Sequence, residues 1–355
     1  MWPDLFDALT RDERRGPVAA VARAGLRMAV VPYAAAVRTR NALYDAGWCR
    51  AGRAAVPVVC VGNLTVGGTG KTPAVEWVAR FLRDRLDRSV CVLSRGYGAA
   101  GGPNDEAMVL EENLPDVPHL QGADRLALAR TAVEELEADA LVLDDGFQHR
   151  RLARDLDVVL IDASRPLSRE YLLPRGRLRE PVGGLRRAGV AVLTRTDQAP
   201  ADEPADRQRD WLRRRFPELP VALAVHEPVE LAGEGRTEPV DSLRGRTVGA
   251  FCGIGNPAAF RRTVESLGAA VAAFRPFPDH HPYTRADVDD LGRWAAGLPA
   301  GAWVLTTQKD WVKLRVADLG GRPLWAVRVG LRVTDGETDL AARLEAAVGG
   351  ERGAA

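Results

Sequence analysis

Eight consecutive residues, Thr65-Val66-Gly67-Gly68-Thr69-Gly70-Lys71-Thr72, have the make-up of a phosphate cradle. Glycines let main-chain N–H groups turn inward around phosphate oxygens with no Cβ in the way. Lys71 is placed to reach β- and γ-phosphates, and the Thr72 hydroxyl to ligate Mg²⁺. The apolar run Val56–Val61 precedes the loop and the amphipathic stretch Ala74–Leu82 follows it. That is the strand, loop, helix order a P-loop requires, and the helix start adds unpaired donors and partial positive charge. Thr65 stands where the usual G-x-x-x-x-G-K-[ST] pattern has glycine.

A second pattern suits the same chemistry. Leu141-Val142-Leu143-Asp144-Asp145 is an apolar strand ending in two carboxylates, the form of a Walker B strand whose tip faces a Mg²⁺ shell. Gly146-Phe147-Gln148-His149-Arg150-Arg151 continues it with a turn and a cluster of donors. In open α/β sheets, ligands bind outside the carboxyl ends of strands, which is where this cluster falls. Further along, Thr306-Thr307-Gln308-Lys309-Asp310 ends another apolar run. No Asn precedes Lys309 at the spacing of a guanine-reading motif, so ATP is favoured over GTP.

The elements that must position these residues are legible as short apolar runs: Ser89–Leu93, Ala140–Leu143, Asp157–Ile161 and Gly189–Leu193. Nearly continuous apolar runs suit a parallel sheet buried on both faces. Ala123–Leu136, between two of them, has helical spacing. The fold class is therefore α/β: a P-loop NTPase-type, doubly wound, mostly parallel sheet. Arg207–Phe216 reads as a helix, Val221–Val225 as a strand and 227–244 as loop. A second set of α/β units begins at Thr247. We assign residues 49–230 to the P-loop domain, 231–345 to a smaller C-terminal α/β domain, and 346–355 to a tail.

Residues 1–48 form an N-terminal amphipathic helical segment. Val18, Val21, Leu26, Met28, Val30 and Val31 sit among alanines, with Arg23, Arg27, Arg38 and Arg40 between them. Such a helix can lie in a membrane interface with guanidinium groups on lipid phosphates, or simply pack on its own domain. Pro32 should break or kink it. No uninterrupted apolar run of 18 residues is present, so no transmembrane helix is expected, and Met1-Trp2-Pro3-Asp4 lacks the form of a signal peptide. With 49 basic and 48 acidic residues in 355, the net charge is +1, which argues against nucleic acid as a partner. Cys49, Cys60, Cys91 and Cys252 form no C-x-x-C pair; Cys60 and Cys91 fall in strand-like runs and read as small core residues of a reducing compartment.

Five segments occur together and in order: Thr65–Pro73, Leu93–Gly98, Asp144–Arg151, Leu173–Pro181 and Phe277–His281. In them the chain resembles the tetraacyldisaccharide 4′-kinase family of lipid A biosynthesis, from about Pro32 to about Val333. The resemblance implies an enzyme that transfers the γ-phosphoryl group of ATP, with Mg²⁺, to the 4′-hydroxyl of an acylated glucosamine disaccharide 1-phosphate, giving lipid IVA. It implies a monomer held peripherally at the cytoplasmic face of the inner membrane by its N-terminal helix. It places Lys71 and Thr72 on phosphate and metal, and Asp144, Asp145 and Glu180 at the metal. Arg95, Tyr97 and His149 fall on the lipid headgroup, Asp105 on the base for the sugar hydroxyl, and His280 on the histidine that assists it. Alone, Asp105 and His280 would read as ordinary turn and loop residues. Asn104 and Ala107 stand where the family has Gly and Pro, and the link from Tyr97 to Asp105 is short. If both act, two lobes must close for turnover.

Two other readings fit the nucleotide motifs. A membrane-docking P-loop switch ATPase would carry a lysine just before the Gly-Gly of the loop, where this chain has Val66. Another small-molecule kinase on the same fold would share every phosphate-binding residue, because fold does not fix substrate.

Overall fold

The computed structural model describes residues 16–96 and 105–349. In chain order the main elements are α1 (Pro17–Asp45), β1 (Val58–Asn63), α2 (Lys71–Arg80), β2 (Val90–Ser94), α3 (Asp105–Asn113), β3 (His119–Gln121), α4 (Arg125–Glu134), β4 (Ala140–Asp144) and β5 (Leu156–Asp162). They continue with β6 (Val190–Thr194), α5 (Ala205–Arg215), β7 (Val221–Gly233), β8 (Arg236–Glu238), β9 (Thr247–Cys252), α6 (Pro257–Ser266), β10 (Ala270–Pro276) and α7 (Arg285–Ala296). The last are β11 (Trp303–Thr307), α8 (Gln308–Leu314), β12 (Asp318–Leu319), β13 (Arg322–Asp335) and α9 (Glu337–Val348).

The chain divides into two compact units. The first lies within Met1–Arg95, Val117–Val225 and Arg332–Ala355. Its strands run in the order β7-β6-β5-β1-β4-β2-β3, every neighbouring pair parallel. All residues of β1, β2, β4 and β6 are buried, which is why these strands read as unbroken apolar runs. Cys60 and Cys91 lie there as free core thiols. β1 sits between β5 and β4, and the order reverses about it, so the loop after β1 opens at a topological switch point. Val61 pairs with Asp144 across β1 and β4, which brings the acid-tipped strand beside the base of the P-loop.

The second unit lies within Gly96–Asp116 and His226–Leu331. Its strand order is β10-β9-β11-β13-β7, with β8 antiparallel on β7 and β12 antiparallel on β13. β7 and β13 each contribute residues to both units.

Several expectations change. Residues 105–116 belong to the second unit, not to the P-loop domain: Asn113 and Gln308 exchange side-chain hydrogen bonds, and Val109 joins the core around Phe251 and Trp311. The segment from Arg332 belongs to the first unit, because α9 buries Leu340, Leu344 and Val348. The sequence 227–244 is largely strand rather than loop, because β7 continues to Gly233 and turns back as β8. Helix α9 also runs three residues into the segment read as a tail, and Gly350 onward lies outside the described residues.

Helix α1 runs unbroken through Pro32. The proline is exposed, so water can take the carbonyl its missing N–H leaves. Among the described residues α1 is the one helix long and apolar enough to cross a membrane by length and composition. Its C-terminal half is fastened to the first unit. Tyr33 Oη donates to the Arg179 carbonyl (2.7 Å), Asn41 Nδ2 to Glu180 Oε2 (3.1 Å), and Arg150 Nη2 to Asp45 Oδ1 (2.7 Å).

Candidate active site

The P-loop leaves β1 as a paired segment before it becomes a cradle. Val66 N donates to the Arg177 carbonyl (2.8 Å) and Arg179 N to the Leu64 carbonyl (2.7 Å), bridging Thr65 to Leu178. The turn then requires positive φ at Gly67 (97°) and Gly70 (79°), which only glycine adopts without strain. Gly67 also lies against a cation, since a Cβ there would fall 1.9 Å from Arg177 Nη2. Side chains from neighbouring strands hold the loop from outside. Asn63 Nδ2 donates to Thr69 Oγ1 (2.9 Å), Thr194 Oγ1 to the Thr69 carbonyl (3.1 Å), and Arg195 Nη1 to the Gly68 carbonyl (2.9 Å). Arg195 is itself anchored by Asp162. Lys71 and the buried Thr72 open α2, at the end of the helix where orphan N–H groups and the dipole favour anions.

The carboxylates predicted at the metal separate into two environments. Asp144 is buried at the tip of β4. Asp145, at φ 52°, lies 3.7 Å from Lys71 Nζ, and both its oxygens accept from Arg179 Nη1 at 3.0 Å. Glu180 is fully buried. Oε1 accepts from Gln148 (3.0 Å), and Oε2 from Arg187 (2.7 Å) and Asn41 (3.1 Å). This carboxylate fastens α1 and the 144–151 turn to each other. Gln148 Nε2 also donates to the Asn63 carbonyl (2.9 Å), so the same turn is tied to the strand that starts the P-loop.

Arg95 and His149 lie in this first unit, and Tyr97 lies outside the described residues. Arg95 and the buried Arg125 share the field of Asp144 and Asp145. Burial and then the charge of Arg95 lower the Arg125 guanidinium from its ordinary value, against the pull of both carboxylates. Burial, followed by the charges of Arg125, Arg151 and Arg154, pushes the His149 imidazole down to about 4. His149 is therefore neutral at pH 7 and can accept or donate a hydrogen bond with no added charge.

The second unit holds the other predicted pair. His280 Nδ1 is 2.9 Å from Asp105 Oδ2, joining the first residue of α3 to the loop after β10. Both residues therefore lie on the same unit, and their pairing needs no movement of one lobe onto the other. His280 has φ 57° and its N–H donates to the Gly253 carbonyl (3.0 Å). Gly253 N in turn donates to Asp310 Oδ2 (3.0 Å), which also accepts from Thr307 Oγ1 (2.6 Å). The motif Thr306–Asp310 thus shapes the loop that carries His280. Lys309 pairs with Glu106 (2.9 Å), and Lys313, which the motifs did not mark, lies 2.8 Å from Asp105 Oδ2. A signal existed: Lys313 stands four residues after Lys309, one helical turn along the same face. Arg177, Arg179 and Asn63 were likewise missed, although the first two fall inside the Leu173–Pro181 segment.

A cradle at the switch point of a doubly wound parallel sheet, with an acid-tipped strand beside it, defines a P-loop kinase fold. A solved LpxK from Aquifex aeolicus, determined in complex with ATP, is similar at TM-score 0.75 and 31% identity, over 92% of this chain and 99% of that one. The LpxK family model, described as tetraacyldisaccharide-1-P 4′-kinase, matches residues 22–349, and the chain belongs to that family. The resemblance read from the motifs is borne out, and the protein is a kinase, a phosphoryl transferase. Similar relatives include the tetraacyldisaccharide 4′-kinase of Anaeromyxobacter dehalogenans strain 2CP-C, 46% identical over 96% of this chain and 94% of its own. That of Syntrophus aciditrophicus is 38% identical, over 85% of this chain and 87% of its own.

Proposed function

We propose that this chain transfers the γ-phosphoryl group of ATP to the 4′-hydroxyl of a tetraacylated glucosamine disaccharide 1-phosphate, with Lys71 and the P-loop amides on the polyphosphate and Asp105 as the base for the hydroxyl. The observation that carries the assignment of the base is the Asp105 Oδ2 to His280 Nδ1 contact of 2.9 Å. A sugar hydroxyl is a poor nucleophile, so a carboxylate aligned on it helps by taking the proton as the new P–O bond forms. A histidine on the same carboxylate orients it and can pass the proton on. Phosphoryl transfer is otherwise positioning and charge neutralisation. Those tasks fall to Lys71, the main-chain amides and the cationic edge of Arg95, Arg125 and Arg179, with Arg95, Tyr97 and the neutral His149 reading the headgroup.

Mg²⁺ belongs in the same reading. The Thr72 hydroxyl and the Asp144 and Asp145 carboxylates are an all-oxygen donor set, which suits a hard cation. The ion would neutralise charge on the β- and γ-phosphates. Glu180, bonded to Asn41, Gln148 and Arg187, stands near the ion in this reading and braces the turn that carries the Asp pair.

The exposed N-terminal half of α1 supports peripheral attachment to the cytoplasmic face of the inner membrane. Among the described residues, Pro17–Pro32, about 24 Å of helix, precede the first anchor at Tyr33, less than the ~30 Å hydrocarbon core. The chain acts as a monomer in this reading. Mass spectrometry of the lipid after incubation with ATP·Mg²⁺ tests it. One phosphate added to the non-reducing glucosamine is expected; ATP consumed without a phosphorylated lipid would reject it.

A further inference from the structure

We propose that Lys313 is a positioning residue for phosphoryl transfer: its ammonium group clamps the Asp105 carboxylate and, at the same time, the main chain of the loop that carries His280. The inference rests on the reading of Asp105 as the base. Lys313 Nζ lies 2.8 Å from Asp105 Oδ2 and donates to the His281 carbonyl at 3.3 Å. His280 Nδ1 reaches the same Oδ2 at 2.9 Å. One carboxylate oxygen therefore holds two donors, and in this reading Oδ1 takes the proton of the hydroxyl. A charge-assisted N–H to carboxylate bond of this length is among the stronger hydrogen bonds a protein makes.

The mount is rigid. Lys313 sits in the last turn of α8, whose Trp311 and Val312 are buried and whose Asp310 holds Gly253 N. Only 12% of the lysine side chain is exposed, so its reach is set by packing rather than by solvent. A flexible surface lysine would lose this geometry to rotamer entropy.

The chemistry calls for a cation at this point. Asp105 is partly buried, and burial alone would raise its pKa and leave it holding a proton when it must accept one. The hydrogen bonds from Lys313 and then His280 outweigh that burial and keep the carboxyl below its ordinary range. The other charges around the pair are already partnered. Glu106, next along α3, bonds Lys309 of α8; Asp279 lies 3.9 Å from His280 Nε2; and His281 lies 3.3 Å from Asp287 on α7. Lys313 is thus the cation that faces Asp105 directly among the described residues, and the Asp105–His280 pair works as a triad with it.

The test compares Lys313→Met and Lys313→Arg with the parent enzyme. Lys313→Met is expected to lower kcat roughly 10- to 100-fold, the range that loss of a hydrogen bond to a charged group carries. The acid limb of its kcat profile moves to higher pH while the ATP KM stays near the parent value. Lys313→Arg restores most of the rate. Carbon-13 NMR titration of the Asp105 carboxyl reads the clamp without catalysis: its pKa rises in Lys313→Met and returns in Lys313→Arg. An unchanged Asp105 titration in folded Lys313→Met overturns the proposal. So does a kcat loss with no movement of the acid limb, because a purely structural lysine would act that way. Full turnover in Asp105→Asn would defeat the base reading separately, and the NMR arm would still decide whether Lys313 sets this carboxyl.

Discussion

In the proposed reading helix α1 both meets the membrane and braces the first unit, and point substitution separates these roles better than truncation does. Val18, Val21, Met28 and Val31 are 83%, 73%, 76% and 68% exposed. At 100° per residue they fall within a stripe of about 140° on the helix. Fully burying a side chain of this class contributes about 1.5–3 kcal/mol. At the low end, scaled by about three-quarters exposure, the four amount to roughly 4–5 kcal/mol. A helix lying in an interface realises about half of that, ~2 kcal/mol, which is ~30-fold in partitioning. Replacing all four by Gln removes this term and keeps helix propensity. The bonds from Tyr33, Asn41 and Asp45 to the first unit are untouched. Vesicle sedimentation should therefore show ~30-fold weaker binding, with kcat on detergent-dispersed lipid close to the parent value. Unchanged partitioning would refute the membrane role. An equal fall in kcat on dispersed lipid would refute the separation of the two halves. Deleting residues 1–48 would not discriminate, since it also strips Asn41 from Glu180.

Two further outcomes follow from the same geometry. Lys71→Met should lower kcat by roughly 10²–10³-fold, the loss expected for one group aimed at developing charge. Its unfolding temperature should change little, because Asp145 keeps Arg179 at 3.0 Å; near-normal phosphoryl transfer would contradict the cradle. The His149 imidazole, depressed in the fold to about 4 from 6.5, makes stability fall as pH drops from 6.5 toward 4, since the unfolded chain takes a proton there that the folded chain refuses. Urea denaturation across that range should show a shallower slope in His149→Gln, and an identical slope would contradict the burial argument.

The P-loop and the acid-tipped strand were legible because their chemistry is local. Glycines with positive φ, a lysine at a helix start and a carboxylate at a strand tip are written within a few residues of one another. The parallel sheet was legible because strands buried on both faces read as unbroken apolar runs. What the sequence hid is contact over long separations. Asn41 reaches Glu180 across 139 positions, and His280 reaches Asp105 across 175. The placement of residues 105–116 in the second unit was hidden for a similar reason, because a chain that leaves one core and returns to it shows only two ordinary connections. Pro32 does not end the helix, since α1 runs from Pro17 to Asp45 through it.

The account turns on Asp105 accepting the proton of the sugar hydroxyl. Steady-state kinetics of Asp105→Asn, with ATP and lipid varied separately, address that directly. The account predicts kcat lower by roughly 10²–10⁴-fold, the contribution of general base catalysis, with the ATP KM near the parent value. A variant with parent-like kcat, or one whose only defect is a raised ATP KM, would contradict it.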